Sequence, residues 1–223
     1  KGRSYSACPS VADWERAFGE DDDVLAFTIT SGLSGSFRAA CAAKLNCEEN
    51  SPSRRICIID SLSTGPEIVL LIEKAVSELS AGADFDAVCR SVQDYQRRTH
   101  LIFALESLHN LAQNGRVGKL AAAAAGMLGI RAVGTTSDEG TLDLLGKCRG
   151  RKRTVDFLQE EMERLGYTGG CVRIGHCRNT DSAGELRTAI LHRFPGANIR
   201  IYPLRGLCSY YAECGGVLVG FEA

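Results

Sequence analysis

The sequence predicts an α/β protein of two units. The first is an α/β/α domain on a parallel sheet; the second is an α+β domain with a mixed or antiparallel sheet. Three observations carry this. Before residue 114, strand-like apolar runs alternate with helical periods, which is the pattern of parallel strands joined by crossovers. After it, two short strand-like runs follow each other around a tight turn, giving the order β-β-α-β-α-β. Between them, Gln113-Asn114-Gly115-Arg116 is turn chemistry. The expected units are residues 1–114 and 115–223.

The elements follow in order. Val24 to Ile29 reads as a buried strand that runs into Thr30-Ser31-Gly32-Leu33-Ser34-Gly35 and a helix from Ser36 to Leu45. Arg55 to Ile59 is a second strand. Ile68, Leu71, Ile72, Ala75, Val76 and Leu79 fall on one helical face, with Gly82 just beyond as a C-terminal stop. Asp84 is placed to cap a further helix that turns Phe85, Val88, Cys89 and Val92 inward. In the second unit, Lys119 to Leu128 reads as an alanine-rich, closely packed helix. Strands are expected at Arg131 to Thr135 and Thr141 to Leu145, joined around Asp138-Glu139-Gly140. Val155, Leu158, Met162 and Leu165 mark an amphipathic helix that stops at Gly166. Val172 to Ile174, Asn198 to Tyr202 and Gly216 to Phe221 read as strands, and Asp181 to His192 as a helix.

Composition narrows the function. The chain has 223 residues, 44% hydrophobic and 24% charged, so it can bury a core and is neither disordered nor fibrous. Its 26 basic and 27 acidic residues give a net charge of −1, without the basic surplus of a nucleic-acid binder. No apolar run reaches the ~18 residues of a membrane span. Lys1-Gly2-Arg3-Ser4 shows no secretory leader, so the expected location is cytoplasmic. Ten cysteines include no Cys-x-x-Cys, and several sit in apolar strings such as Ile56-Cys57-Ile58. They are expected to be free thiols in a reducing compartment, although Cys41/Cys47, Cys171/Cys177 and Cys208/Cys214 share a six-residue spacing. The four histidines lack metal-ligand spacing, and no metal or cofactor is expected.

The loop after the first strand is the most informative segment. Gly32 and Gly35 allow a sharp turn. Ser31, Ser34 and Ser36 offer hydroxyls, and the next helix points its free N–H groups at the loop. Together they form a receptor for a carboxylate or phosphate. A plainly capped turn has the same composition. There is no P-loop lysine and no Gly-x-Ser-x-Gly elbow. Asp60-Ser61-Leu62-Ser63-Thr64-Gly65 suits either a crevice wall or a helix cap. Lys147 to Arg153 packs five cations into seven residues, a docking surface for an acidic partner or a solvated helix start.

These segments resemble the DegV family. Thr30-Ser31-Gly32-Leu33-Ser34-Gly35-Ser36-Phe37 is similar to its Ser-Ser-x-Leu-Ser-Gly-Thr-Tyr motif, and Ser6-Ala7-Cys8-Pro9-Ser10 to its Thr-Ser-Gln-Pro-Ser. Asp60-Ser61 with Gly65, Asn114-Gly115-Arg116-Val117 and Lys147-Cys148-Arg149-Gly150-Arg151 match three further motifs in the same order. The resemblance implies a DegV-like fold with a long-chain fatty acid between the two domains, its tail in residues 115–223. It implies a carrier, not a catalyst, that presents the acyl carboxylate to a separate ATP-dependent fatty-acid kinase. It places the carboxylate-binding hydroxyls at Ser6 and Ser31 and the arginine at Arg116; the loop adds Gly32 and Ser34 to the expected ligands, and Glu213 is counted with them at a family ligand position. The charge of Arg149-Gly150-Arg151 points Arg149 and Arg151 toward the kinase. Transient membrane contact is a further expectation; nucleic acid is not a partner. Burying roughly 14 methylenes at about 0.8 kcal/mol each supplies on the order of 11 kcal/mol before ordering costs.

Two departures stand out. Glu213, in Ala212-Glu213-Cys214-Gly215-Gly216, occupies the place of a family histidine that helps hold the carboxylate. Two carboxylates in one pocket repel, so Glu213 points away, is neutral, or serves a different head group. The family's first strand, with its Asp-Ser-Thr motif, is also missing, so the first domain is expected to be truncated, with an open sheet edge. Two other functions compete: an acyl-transfer or hydrolytic enzyme using Ser31 or a cysteine as nucleophile, for which no base is evident, and a degenerate, ligand-free interaction module.

Overall fold

The computed structural model describes residues 4–121 and 129–223. The first helix, α1 (Val11–Phe18), was not foreseen; Ser10 caps it in a reciprocal box with Asp13. Then follow β1 (Asp23–Thr28), α2 (Ser36–Asn50), β2 (Arg55–Asp60), α3 (Pro66–Ser80), α4 (Phe85–Gln96), β3 (Thr99–Leu105) and α5 (His109–Gln113). A 3₁₀ turn at Gly118–Leu120 leads to β4 (Ile130–Thr136), β5 (Leu142–Arg149), α6 (Arg151–Arg164), β6 (Cys171–His176), α7 (Thr180–Arg193), β7 (Asn198–Pro203), α8 (Gly206–Ala212) and β8 (Val217–Glu222). The alanine-rich helix expected at Lys119 to Leu128 lies largely outside the described residues.

Among the described residues, β1 and β2 form a two-stranded parallel sheet. Its two faces are covered by different helices. Phe18, Ala40 and Ala43 of α1 and α2 pack with Ala26 and Ile56. Leu70, Leu71 and Ala75 of α3 pack with Ile59 and with Val88, Val92 and Tyr95 of α4. The second sheet has six strands in the order β5-β4-β3-β8-β6-β7, parallel only between β6 and β7. The central strand β3 is apolar and buried from Leu101 to Leu105, as a strand covered on both faces should be. It lies before residue 114 yet belongs to the second sheet, so a division at 114 does not separate the sheets.

The buried face of α3 differs from the expected one. Leu70, Leu71 and Ala75 are buried, whereas Ile72, Val76 and Leu79 are 42%, 55% and 52% exposed. Five apolar residues in succession, Ile68 to Ile72, leave the helical phase open, and contact with the sheets decides it. The same helix joins the two halves. Its Glu73 bonds Arg173 of β6 and Arg200 of β7, at 2.8 and 3.1 Å. Its first turn lies against Gly220 of β8.

Glu67, in that first turn, is buried and accepts from Thr99 Oγ1 at 2.8 Å, while its other oxygen has no partner. Burial raises its pKa above the ordinary carboxylate value, against the opposing pull of its hydrogen bonds. A carboxyl whose pKa is higher folded than unfolded adds stability below its unfolded pKa and loses it as pH rises through the folded one. Denaturant titrations should therefore show stability falling with rising pH above the ordinary carboxylate range, and a shallower fall in Glu67→Gln. Equal slopes in the two proteins would contradict this.

Candidate functional site

A cavity of about 320 Å³ lies between the two sheets. This is near the lower end of the ~300–1,000 Å³ range of small-molecule sites. Phe27 of the first sheet and Ile29 just beyond β1 line it, with Phe103, Leu105, Leu142 and Leu218 from the second sheet and Leu111 and Leu207 from α5 and α8. The wall is mostly apolar. Its polar groups are few: Ser6, Thr28, Ser34, Ser36, Thr64, Arg116 and Tyr211, with the thiols of Cys8 and Cys208.

Several of these groups are neighbours. Arg116 donates through Nε to Leu33 O at 3.3 Å and through Nη1 to Asn114 O at 2.7 Å, so its guanidinium lies against the serine-glycine loop. The Cys8 sulfur stands 3.3 Å from where a Cβ on Gly35 would be. Gly35 is the N-cap of α2 and has no side chain to cap it, though Ser34 Oγ accepts from the first helical amide, Ser36 N. Arg116 and the open end of α2 thus bring positive potential to one wall.

The loop itself corrects part of the expectation. Ser31 and Gly32 do not line the cavity. Their amides serve the fold: Ser31 N donates to Asp60 Oδ1 at 3.0 Å and Gly32 N to Thr30 Oγ1 at 3.0 Å. Leu33 N is bonded to Thr30 O, and Ser36 N to Ser34 Oγ at 3.2 Å. Gly32 is required by close approach. A Cβ there would sit 2.8 Å from the carbonyl oxygens of Glu139 and Gly140, in the β4–β5 turn. Asp60, read as crevice or cap, bridges two loops, accepting also from Leu62 N at 3.2 Å. Ser34 and Arg116 do reach the cavity, and so does Ser6. Among the described residues no histidine or carboxylate is hydrogen-bonded to the Ser31 hydroxyl, so the nucleophile reading finds no base there.

Glu213 also leaves the site. It does not line the cavity; its carboxylate accepts from Ser107 Oγ and Asn110 N, each at 2.9 Å, at the start of α5. Of the three alternatives for this residue, pointing away is the one observed. The positive φ of 53° at Glu213 turns the chain so that the side chain meets α5. Glu213→Ala should cost about 1 kcal/mol through loss of this cap, seen as a lower denaturation midpoint, whereas Glu213→Gln should cost less.

The cation run divides. Arg151 is held by Asp181 at 3.0 Å and Glu185 at 2.9 Å, both on α7, and Arg153 bonds Glu160. These acidic partners offset the unfavourable cations at the α6 N-terminus. Arg149 is exposed at the end of β5, and neither Arg149 nor Arg151 lines the cavity. All ten cysteines are free, so none of the six-residue pairs is bridged. No group of three or more metal-ligating side chains is found among the described residues, and no described helix is long and apolar enough to cross a membrane.

Sequence reasoning missed Trp14, Thr64, Leu207, Cys208 and Tyr211, all in the cavity wall. The amphipathic run after Ser10 signalled α1, and with it Trp14. Nothing in the local pattern of Leu207 to Tyr211 sets it apart from an ordinary short helix.

Two helix-covered sheets thus enclose an apolar cavity whose wall carries one arginine and a few hydroxyls. The chain belongs to the DegV family: that family's model, described as an uncharacterised protein of the DegV family, matches residues 2–222. A DegV domain-containing protein of Streptococcus gordonii is 42% identical over 219 residues, covering 98% of this chain and 78% of that protein. A DegV family protein from Eubacterium eligens, solved loaded with heptadecanoic acid, superposes with a TM-score of 0.95 at 42% identity, covering 100% of this chain and 81% of that one. The Streptococcus pneumoniae Fatty Acid Kinase (Fak) B3 protein, loaded with linoleic acid, gives 0.96 at 42% identity over 99% of this chain and 79% of its own.

Proposed function

We propose that this protein binds a long-chain fatty acid in the cavity between its sheets and carries it, presenting the carboxylate to a separate ATP-dependent kinase. The observation that carries the reading is the cavity: a mostly apolar wall with Arg116 bonded to Leu33 O in the loop before α2. A hydrocarbon tail supplies the affinity, and the few donors fix the head. Relatives at 42% identity that hold heptadecanoic and linoleic acids support this ligand class. The kinase step is supported by the name of the pneumococcal relative. Ser6, Ser34 and Arg116 are the head-group ligands. Ser31 and Gly32 contribute by shaping the loop. Exposed Arg149 is the residue placed to meet the kinase, and Arg151, tied to α7, orients that surface. Ten free thiols suit a reducing cytoplasm.

Native mass spectrometry and organic extraction of the purified protein test the ligand. One fatty acid per chain is expected, or uptake of added palmitate. Trp14 is the only tryptophan and lines the cavity, so its fluorescence should change on loading. Protein that is empty and takes up no palmitate would overturn the proposal.

A further inference from the structure

With Glu213 turned to α5, the head-group site lacks the side chain that its sequence position led one to expect. A different group stands in the cavity wall. Tyr211, half-buried on α8, places its hydroxyl 2.5 Å from Ser6 Oγ. Two hydroxyls carry two protons, and the bond between them uses one. The other is left for an acceptor. The neighbouring Arg116 is donor-only, so an anion is what this wall can satisfy.

The pair is also held in place. The Tyr210 ring packs edge-on against Tyr211 with centroids 4.9 Å apart. Tyr210 OH donates to Ser4 O at 2.9 Å and accepts from Asn114 Nδ2 at 3.1 Å. Adjacent tyrosines therefore tie the segment carrying Ser4 and Ser6 across the cavity, two residues from Arg116 on the Asn114 side.

We infer that the Tyr211 hydroxyl, paired with Ser6, is a carboxylate ligand of this protein and takes the role that Glu213 does not fill. The inference rests on the fatty-acid reading above and adds a residue to it. The bond is strongest when the ligand carries an anionic head; a neutral ester carbonyl can accept it too, but more weakly.

Wild type, Tyr211→Phe and Glu213→Gln should be titrated with palmitate and with methyl palmitate, following Trp14 fluorescence and the bound mass. Loss of one hydrogen bond to a charged group predicts about tenfold weaker palmitate binding in Tyr211→Phe. Its methyl palmitate affinity should stay within about twofold of wild type, since the ester has no charge to lose. Glu213→Gln should match wild type for both ligands. Unchanged palmitate affinity in Tyr211→Phe would overturn the inference, and so would an equal loss of acid and ester, which would make Tyr211 a packing residue. A wild type that takes up neither ligand overturns the fatty-acid reading itself, whereas one that binds palmitate no better than Tyr211→Phe overturns only the role of Tyr211.

Discussion

Alanine at position 220 is expected to destabilise the protein by about 3 kcal/mol. Gly220 lies in the middle of β8, where the second sheet meets α3. A Cβ there would stand 2.5 Å from Glu67 N, 2.6 Å from Pro66 C and 2.7 Å from Glu67 Cα. All three are backbone atoms of the first turn of α3, and backbone cannot rotate aside as a side-chain tip does. To admit the methyl, α3 must lift from β8, which strains Glu67–Thr99 and the Glu73 bonds to Arg173 and Arg200. For a chain of this size the thermal midpoint should fall by about 10 °C. Gly196 is the control: a Cβ there meets nothing within 4 Å, so Gly196→Ala should leave the midpoint nearly unchanged. Equal midpoints for the two variants would show that the approach of α3 to β8 is not tight.

Replacing Arg116 by methionine should weaken palmitate binding about thirtyfold, within the ~1.5–3 kcal/mol of a hydrogen bond to a charged group. Methionine keeps much of the stem, so packing beside Leu33 is largely retained while the charge is lost. The two backbone bonds of Arg116, to Leu33 O and Asn114 O, use Nε and Nη1 and leave Nη2 for a ligand. Arg116→Lys should fall between wild type and methionine, because an ammonium keeps the charge without the planar fork. Fluorescence titration decides it. Wild-type affinity in Arg116→Met would remove the arginine from the head-group set and leave the hydroxyls to act alone.

Much of this architecture was legible in the chain because its signals are local. Asp84 caps α4 through Asp86 N and Ala87 N, and Asp138-Glu139-Gly140 turns β4 into β5, where the sequence places them. β1 is shifted by one residue from the expected strand, and β2 runs one residue longer. What escaped was decided by contacts between distant segments. The strand β3 was not expected, and nothing local shows that it lies between β4 and β8. Nor does the motif around Ser31 show that its amides face Asp60 and Thr30 and not a ligand. Composition marked that loop as special, but only the neighbouring hairpin explains why Gly32 must be glycine. The site was legible in the same measure. Ser6, Ser34 and Arg116 were identifiable by motif and do reach the cavity, while Tyr211 arrives there through the packing of α8.

The Thr30 hydroxyl accepts from Gly32 N and donates to Gly140 O at 2.9 Å, across the two halves of the molecule. The proton on the Gly32 nitrogen therefore trades with solvent deuterium only when the hairpin tip lifts away and frees that oxygen. Its exchange rate is a built-in counter of how often the halves part, and loading the cavity should slow the count.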